Sequence, residues 1–351
     1  MPAPTIYFAA GEDEAFTTIG TTSVDTTSTH RRTAYCRCGL LAPDGFSYWD
    51  TGTVMSVASA WFHARAWVLF NSGGAGSATA PFGSVLRIQD GAGITRLALN
   101  FTSAAASSSD PTNWAVFKVN AAGTFTQIGP VLSGIFSASP ASPDAIDVQV
   151  ASYGASGTIN IWINRSLVYS FTGDVHTDAN TTVNGLRLSA SCATIGNRQI
   201  PITWSEVIVS DSDTRGMSLG TLTPAADGNT DNWDIGGVTN INELVEDDTT
   251  LNASGTPGQI QQYTTNALPS GTFGVIAVVI SGRMMAGSVA GPTKVDFGVR
   301  TAGVDHWSAD VTLPGSLATV QNVFMTDPGT SAPFDPTVLG TGFNVGLKSV
   351  A

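Results

Sequence analysis

The stretch Thr158-Ile-Asn-Ile-Trp-Ile-Asn164 decides the fold class, because apolar and polar side chains alternate along it. Its three isoleucines share one face of an extended segment, as in a half-buried strand of an antiparallel sheet. The same alternation recurs at residues 96–101, 294–300 and 306–313. Helical periodicity is not sustained over three turns anywhere in the chain, so the sequence predicts an all-β protein.

Turn residues separate these predicted strands. The dipeptides that favour hairpins are Asp44-Gly45, Asp90-Gly91, Asn184-Gly185 and Asp227-Gly228. Only 12% of the residues are charged, against the usual quarter or so, while 42% are hydrophobic. This composition is typical of a globular protein built of β-sandwiches.

Charge and hydropathy exclude several classes of partner. The net charge is −12 and the 15 basic residues form no cluster, which argues against nucleic acid binding. The longest apolar run, residues 274–280, is far shorter than the roughly 20 residues that cross a bilayer. The first residues do not have the pattern of a signal peptide, so we expect the protein to be made in a cytoplasm.

The cysteines predict neither a disulfide framework nor a metal site. Cys36, Cys38 and Cys192 are an odd number in a chain without a secretion signal. Cys36 and Cys38 lie on one face of a predicted strand, but a metal would need two further ligands at suitable spacing. We therefore expect no metal at these thiols.

A change in composition at residues 211–220 predicts a domain boundary. It follows the β-rich run 202–210 and precedes a new series of strands. We predict two antiparallel β-sandwich domains of the jelly-roll type: a large one over residues 1–210, a linker at 211–218 and a smaller one over 219–351.

The first domain resembles the concanavalin A-like, laminin-G-like jelly rolls in its last strands. The resemblance rests on Val148-Gln-Val150, Gly157 to Arg165, Leu167 to Phe171, Gly185 to Ser189 and Trp204 to Ser210. Where that family has a variable-Asp-Gly turn, this chain has Asn164-Arg-Ser166. The resemblance implies a concanavalin A-like fold and no particular ligand.

The second half resembles a small β-sandwich module of tailed-phage structural proteins. The similar segments are residues 246–250, 295–300, 326–336 and the closing run 341–348. The family usually has a Trp-Thr pair where this chain has Phe334-Asp335, which loosens the assignment to any one branch. The resemblance implies a virion protein of a tail fibre, tail tip or head decoration.

Catalytic patterns are missing from the sequence. The chain has five glutamates, and Glu206 lies in Trp204-Ser-Glu206 without the second carboxylate that a jelly-roll glucanase carries on the same strand. There is no nucleophile elbow of the Gly-x-Ser-x-Gly type, and no phosphate-binding loop. We therefore predict that the chain is not an enzyme and has no catalytic residues.

One run imitates a calcium-binding loop. Asp227, Asn229 and Asp231 have the alternating spacing of an EF-hand. The sixth position is Asn232 in place of glycine, and the twelfth is Val238 in place of glutamate. Asn and Asp side chains also stabilise turns by bonding their own backbone, so we predict no cofactor and keep calcium as an alternative.

Three tryptophans are candidate contacts for a glycan or for another subunit. Trp49, Trp114 and Trp233 lie beside predicted turns, where a ring can stack on a sugar or be buried in an interface. The other tryptophans in strand patterns are expected in the core.

These observations and resemblances together predict a structural component of a tailed-phage virion, tail-associated and assembled in the host cytoplasm. Its expected partners are other virion proteins and further copies of itself, a trimer being favoured, with possible contact to a host-surface glycan. The alternatives are a lectin-like glycan-binding adhesin and a head-decoration protein. A polysaccharide depolymerase would need paired carboxylates in a groove.

Overall fold

The computed structural model describes residues 4–10, 15–19, 22–24, 36–38, 46–68, 83–101, 113–133, 143–176, 180–191, 202–242, 248–268, 274–287, 291–339 and 343–351. These residues form two compact units, Met1–Leu219 and Gly220–Ala351. The predicted all-β class is confirmed, since antiparallel strands make up nearly all of the regular structure. None of the described helices is long and apolar enough to cross a bilayer.

The described residues of the first unit form fifteen strands. They are β1 Ile6–Ala10, β2 Thr17–Ile19, β3 Thr22–Val24, β4 Cys36–Cys38, β5 Phe46–Asp50, β6 Ala60–Val68, β7 Gly83–Gln89, β8 Thr95–Phe101, β9 Asn113–Val119, β10 Phe125–Ser133, β11 Asp144–Ser152, β12 Gly157–Ile163, β13 Ser166–Gly173, β14 Gly185–Ser191 and β15 Ile202–Ser210.

Two antiparallel sheets face each other in this unit as a jelly-roll sandwich. The eight-stranded sheet has the order β13-β12-β11-β6-β15-β4-β3, with β1 also paired to β15. The seven-stranded sheet has the order β10-β9-β8-β7-β14-β5-β2. The core between them holds the alternating apolar residues of both sheets, including the isoleucines of residues 158–164. The side chains that alternate with these core residues lie on the outer faces.

Two hairpins show how local sequence sets the register. Asp90 joins β7 to β8 and accepts hydrogen bonds at Oδ1 from the backbone nitrogens of Ala92 and Ile94, so the turn predicted at Asp90-Gly91 is confirmed. Asn164 and Arg165 join β12 to β13 with φ values of 50° and 69°. These values fit the two-residue hairpin turns whose central residues have positive φ.

Two other predicted hairpin dipeptides are wrong. Asn184 is buried, and its amide Nδ2 donates to the carbonyl oxygen of Met55 at 2.8 Å, while Gly185 begins β14. Asp227-Gly228 lies inside a strand of the second unit. Local turn propensity is overridden at both sites by pairing with distant residues. Asp44-Gly45 lies outside the described residues.

The second unit is also built of antiparallel strands. They are β16 Pro224–Asp231, β17 Ile260–Thr265, β18 Val278–Met284, β19 Lys294–Thr301, β20 Val304–Trp307, β21 Val311–Thr312, β22 Ala318–Phe324 and β23 Asn344–Val350; a 3-10 helix spans Val238–Asn240 and the short helix α1 spans Pro336–Leu339. One sheet has the order β16-β17-β23-β19-β20 with β21 paired to β19, and β18 pairs with β22. A small core holds Val299, Phe334, Leu339 and Phe343.

Candidate functional site

The outer face of the eight-stranded sheet carries a buried polar network. His63 on β6 lies beside Asp147 on β11, with 2.8 Å between Nδ1 and Oδ1. The hydroxyl of Thr214 donates to the same carboxylate oxygen at 2.7 Å. All three side chains are buried, so this network stabilises the fold and offers no surface to a ligand.

The segment after β15 lies on this same face. Trp61 and Trp162 stack with their ring centroids 5.0 Å apart. The guanidinium of Arg215 covers both rings, at 5.4 Å from the first centroid and 4.6 Å from the second, and it pairs with Asp213. The residues predicted to be a linker, 211–218, thus contribute Thr214 and Arg215 to the packing of the first unit.

Glu206 lies on this face as well. Its Oε2 is 3.2 Å from Nε of Arg65, its side chain is buried and its φ is 51°, in the left-handed region. The register of β15 shifts between Ser205 and Ile208, which produces a bulge here. Buried carboxylates at Glu206 and Asp147 do not form an accessible catalytic pair.

The outer face of the seven-stranded sheet is different, because it brings two arginines together. Arg187 on β14 is the register partner of Asp50 on β5 and of Arg87 on β7. We call the polar residues around this pair the arginine face; it consists of Tyr48, Asp50, Arg87, Gln89, Asn100 and Arg187. Tyr48, Asp50 and the two arginines are half-buried, whereas Gln89 and Asn100 are buried.

Arg187 is held in place by two neighbours. Its Nη2 and Nε lie 2.6 and 3.1 Å from Oδ2 of Asp50. Its Cζ lies 4.0 Å from the centroid of the Tyr48 ring. Gln89 donates to the same Asp50 oxygen at 3.1 Å. The guanidinium is therefore oriented and its charge is matched by one carboxylate.

The charge of Arg87 is not matched by a carboxylate in this way. Within the described part of the chain it has no ion pair, and its buried Nε has no hydrogen-bond partner. Asn100, two residues along β8 from Ala98, the register partner of Arg87, has a buried Oδ1 that also lacks a described partner. Burial, followed by repulsion from Arg187, lowers the pKa of Arg87. A donor and an acceptor thus remain unsatisfied on one face.

The candidate tryptophans do not come together. Trp49 and Trp114 are 1% and 0% exposed in the core between the two sheets, so neither ring can contact a ligand at the surface. They alternate with outward residues on β5 and β9, and a position beside a turn does not reveal which face a side chain takes. Trp233 is half-buried in the second unit, and its Nε1 donates to the carbonyl oxygen of Gln259 at 3.3 Å. Its proposed contact with a glycan stays a prediction.

The run that imitates a calcium loop is largely a strand. Asp227, Asn229 and Asp231 belong to β16, which pairs with β17. Asp227 accepts a hydrogen bond from the backbone nitrogen of Val238 at 2.7 Å. No group of three or more metal-ligating His, Cys, Asp or Glu side chains occurs among the described residues.

Arg87, Arg187 and Tyr48 are not among the residues that the sequence predicts for a site. Arg87 and Arg187 are 100 positions apart, and only the pairing of β7 with β14 makes them neighbours. The signal was a single arginine in the outward position of two apolar runs, Val85-Leu-Arg-Ile88 and Leu186-Arg-Leu188.

No family model matches the chain, and no curated protein matches it either. Solved structures are similar to part of the chain. An endo-β-1,4-glucuronan lyase from the fungus Trichoderma reesei is 13% identical with a TM-score of 0.40, covering 59% of this chain and 96% of its own. A legume lectin-like domain from Entamoeba histolytica is 10% identical with a TM-score of 0.39, covering 59% and 98%. An alginate lyase from Alteromonas sp. 272 is 10% identical with a TM-score of 0.32, covering 49% and 82%.

These comparisons bear on two predictions, the one on enzyme activity and the one on a virion role. The prediction that the chain is not an enzyme is contradicted, because the similar solved structures include a glucuronan lyase and an alginate lyase. The missing carboxylate pair argues only against glycoside hydrolysis. None of these structures is described as a virion component, so the virion role, the oligomer and the partners stay predictions. The predicted antiparallel β-sandwich is confirmed, and the similar structures include a legume lectin-like domain.

Proposed function

We propose that the first unit binds a carbohydrate polymer on the arginine face. One observation carries this proposal: Arg87, half-buried on this outer face, has no ion pair among the described residues, and its Nε has no described hydrogen-bond partner. Leaving a buried polar group unsatisfied costs about 1–3 kcal/mol. A sugar hydroxyl oxygen accepts hydrogen bonds, so a saccharide can pair with the solvent-accessible part of the Arg87 side chain.

The neighbouring Tyr48 and Arg187 support the same function. The partly exposed Tyr48 ring lies 4.0 Å from the guanidinium carbon of Arg187, which is the register partner of Arg87. Such a combination of an aromatic or planar surface with a few placed polar groups is typical of small-ligand sites. The lectin-like domain among the similar structures fits this function, although the proposal rests on the residues.

Affinity electrophoresis of the full chain through gels that contain single polysaccharides, neutral and acidic, tests the proposal. We expect at least one polymer to retard the protein, and the variant Tyr48→Ala to lose most of that retardation. Trp233→Ala is the matched control, since it removes a half-buried aromatic ring from the second unit. Each mixture is also assayed for new reducing ends, which would show that binding leads to cleavage.

Two results would overturn the proposal. If no polymer retards the chain, the first unit does not bind carbohydrate. If Trp233→Ala abolishes retardation and Tyr48→Ala does not, the binding surface lies in the second unit and the arginine face is not the site.

A further inference from the structure

The arginine face has one more positive charge than negative charge. Its two guanidiniums belong to register partners on adjacent strands, β7 and β14. The single carboxylate of the face, Asp50, contacts Arg187 and also accepts from Gln89 and from the backbone nitrogen of Gly52. Among the described residues none offers a carboxylate to Arg87.

This arrangement is unfavourable in the protein alone. Like charges on directly opposite residues of a sheet repel each other. A partly buried guanidinium without a counter-charge also loses hydration that no carboxylate replaces. The lowered pKa of Arg87 has these two causes, burial first and Arg187 second. An anionic group placed against Arg87 would offset both.

We propose that the polymer on the arginine face is acidic and that its anionic group binds Arg87. The inference rests on the proposed function and names the ligand class for the same site. A guanidinium offers two parallel N–H donors that fit a carboxylate or a sulfate. Arg187 is a positioning residue, since Asp50 and Tyr48 already fix its orientation and match its charge.

The charge of the ligand is tested with pairs of polymers that differ only in that charge. A polyuronate is compared with the same polymer after its carboxyl groups are reduced to alcohols, and dextran sulfate is compared with dextran. We expect the full chain to bind a charged member of a pair at least about tenfold more tightly than its neutral form. A preference within the first pair identifies a carboxylate ligand, and a preference within the second identifies a sulfate.

The role of Arg87 is tested with Arg87→Gln and Arg87→Lys. The first variant removes the charge, so affinity for the charged polymer should fall about tenfold or more, and by a larger factor than affinity for the neutral form. Arg87→Lys keeps the charge but lacks the paired donors, so its affinity for the charged polymer should lie between those of Arg87→Gln and the parent chain. This partial recovery would show that the loss in Arg87→Gln comes from the missing charge and not from misfolding. Arg283→Gln, which removes a paired arginine of the second unit, is the control and should change nothing.

Failure of this inference can be told apart from failure of the proposed function. If charged and neutral polymers bind equally and both Arg87 variants bind like the parent chain, the ligand is not recognised by its charge, while carbohydrate binding stands. If Arg283→Gln weakens binding as much as Arg87→Gln, the effect is a general one of net charge and the site at Arg87 is overturned. If no polymer binds, the proposed function fails first.

Discussion

Asp147 and His63 form a buried pair on the outer face of the eight-stranded sheet, with 2.8 Å between Oδ1 and Nδ1 and both side chains 1% exposed. Thr214 completes the arrangement by donating to the same oxygen. Asp174 also contacts a histidine, but at the surface: it lies 2.7 Å from Lys118 and 2.8 Å from His176, and its side chain is 51% exposed. The two aspartates therefore differ strongly in burial.

The variant Asp147→Ala should lower the free energy of unfolding by about 3–5 kcal/mol, because it leaves buried polar partners unmatched. Its control, Asp174→Ala, should cost less than about 1 kcal/mol, as surface pairs do. Urea unfolding followed by tryptophan fluorescence measures both. Equal losses in the two variants would contradict the structural role of the buried pair.

The pKa of Asp174 should be low and should depend on Lys118. The hydrogen bond from Lys118 and then that from His176 lower it from 3.8 to about 2. Because the folded value lies below the unfolded one, the stability that this pair contributes is present above about pH 3.8 and is lost as the pH falls through about 2. A carboxyl titration by NMR checks the value.

Replacing Lys118 by methionine should raise the pKa of Asp174 towards 3.8. An unchanged titration in that variant would show that Lys118 does not hold the carboxylate. The variant Lys294→Met is a suitable control, since it removes an exposed lysine that pairs with Asp310 in the second unit.

Gly129 should tolerate alanine poorly. Its φ is 69°, and a Cβ there would lie 2.7 Å from the hydroxyl of Tyr169, which donates to the carbonyl oxygen of Ile128 at 2.6 Å. Gly123 has a φ of 78° but open space around a Cβ. Both variants share a backbone cost of roughly 1–2 kcal/mol, and Gly129→Ala should lose a further 1–3 kcal/mol or so to overpacking.

Thermal unfolding of the two variants measures this difference. Adding Tyr169→Phe to Gly129→Ala removes the hydroxyl oxygen that would clash with the new Cβ, so it should recover part of the lost stability. If Gly123→Ala is as damaging as Gly129→Ala, the contact with Tyr169 is not the cause.

In the second unit, Gly298 likewise lies close to an aromatic side chain. A Cβ there would lie 2.4 Å from Cζ3 of Trp307, its register partner on β20. Gly298→Ala should therefore destabilise this unit by about 1–3 kcal/mol, whereas Gly315→Ala, with open space around it, should not. Hydrogen exchange of β19 and β23 amides locates the effect. Unchanged protection there would mean that the sheet adjusts without cost.

Much of the fold was predictable because the alternation of apolar and polar residues along a strand indicates which side chains face the core. Ile159, Ile161 and Ile163 are buried as their spacing predicts, and the strand predicted at 294–300 lies within β19. The candidate site was not predictable, because it depends on strand pairing. Arg87 and Arg187 become neighbours only across β7 and β14, and nothing near either residue in the sequence indicates the other.

The predictions made for Trp49 and Trp114 from their places beside turns were wrong for a related reason. Trp49 precedes Asp50, yet it is Asp50 that faces out and Trp49 that fills the core. A one-residue difference of position decides the face in a strand. Sequence alone predicts that such residues alternate, but the partner sheet determines which set is buried.

The attachment of Thr214 and Arg215 to the eight-stranded sheet has a consequence for where the chain can be cut. A fragment that stops at Ser210 would uncover the stacked rings of Trp61 and Trp162 and leave Asp147 with His63 as its remaining described partner. Such a fragment should aggregate through those rings, while one that extends to Met217 keeps them covered. The shortest expression boundary for the jelly roll is thus set by a guanidinium lying on two indoles, and not by the end of its last strand.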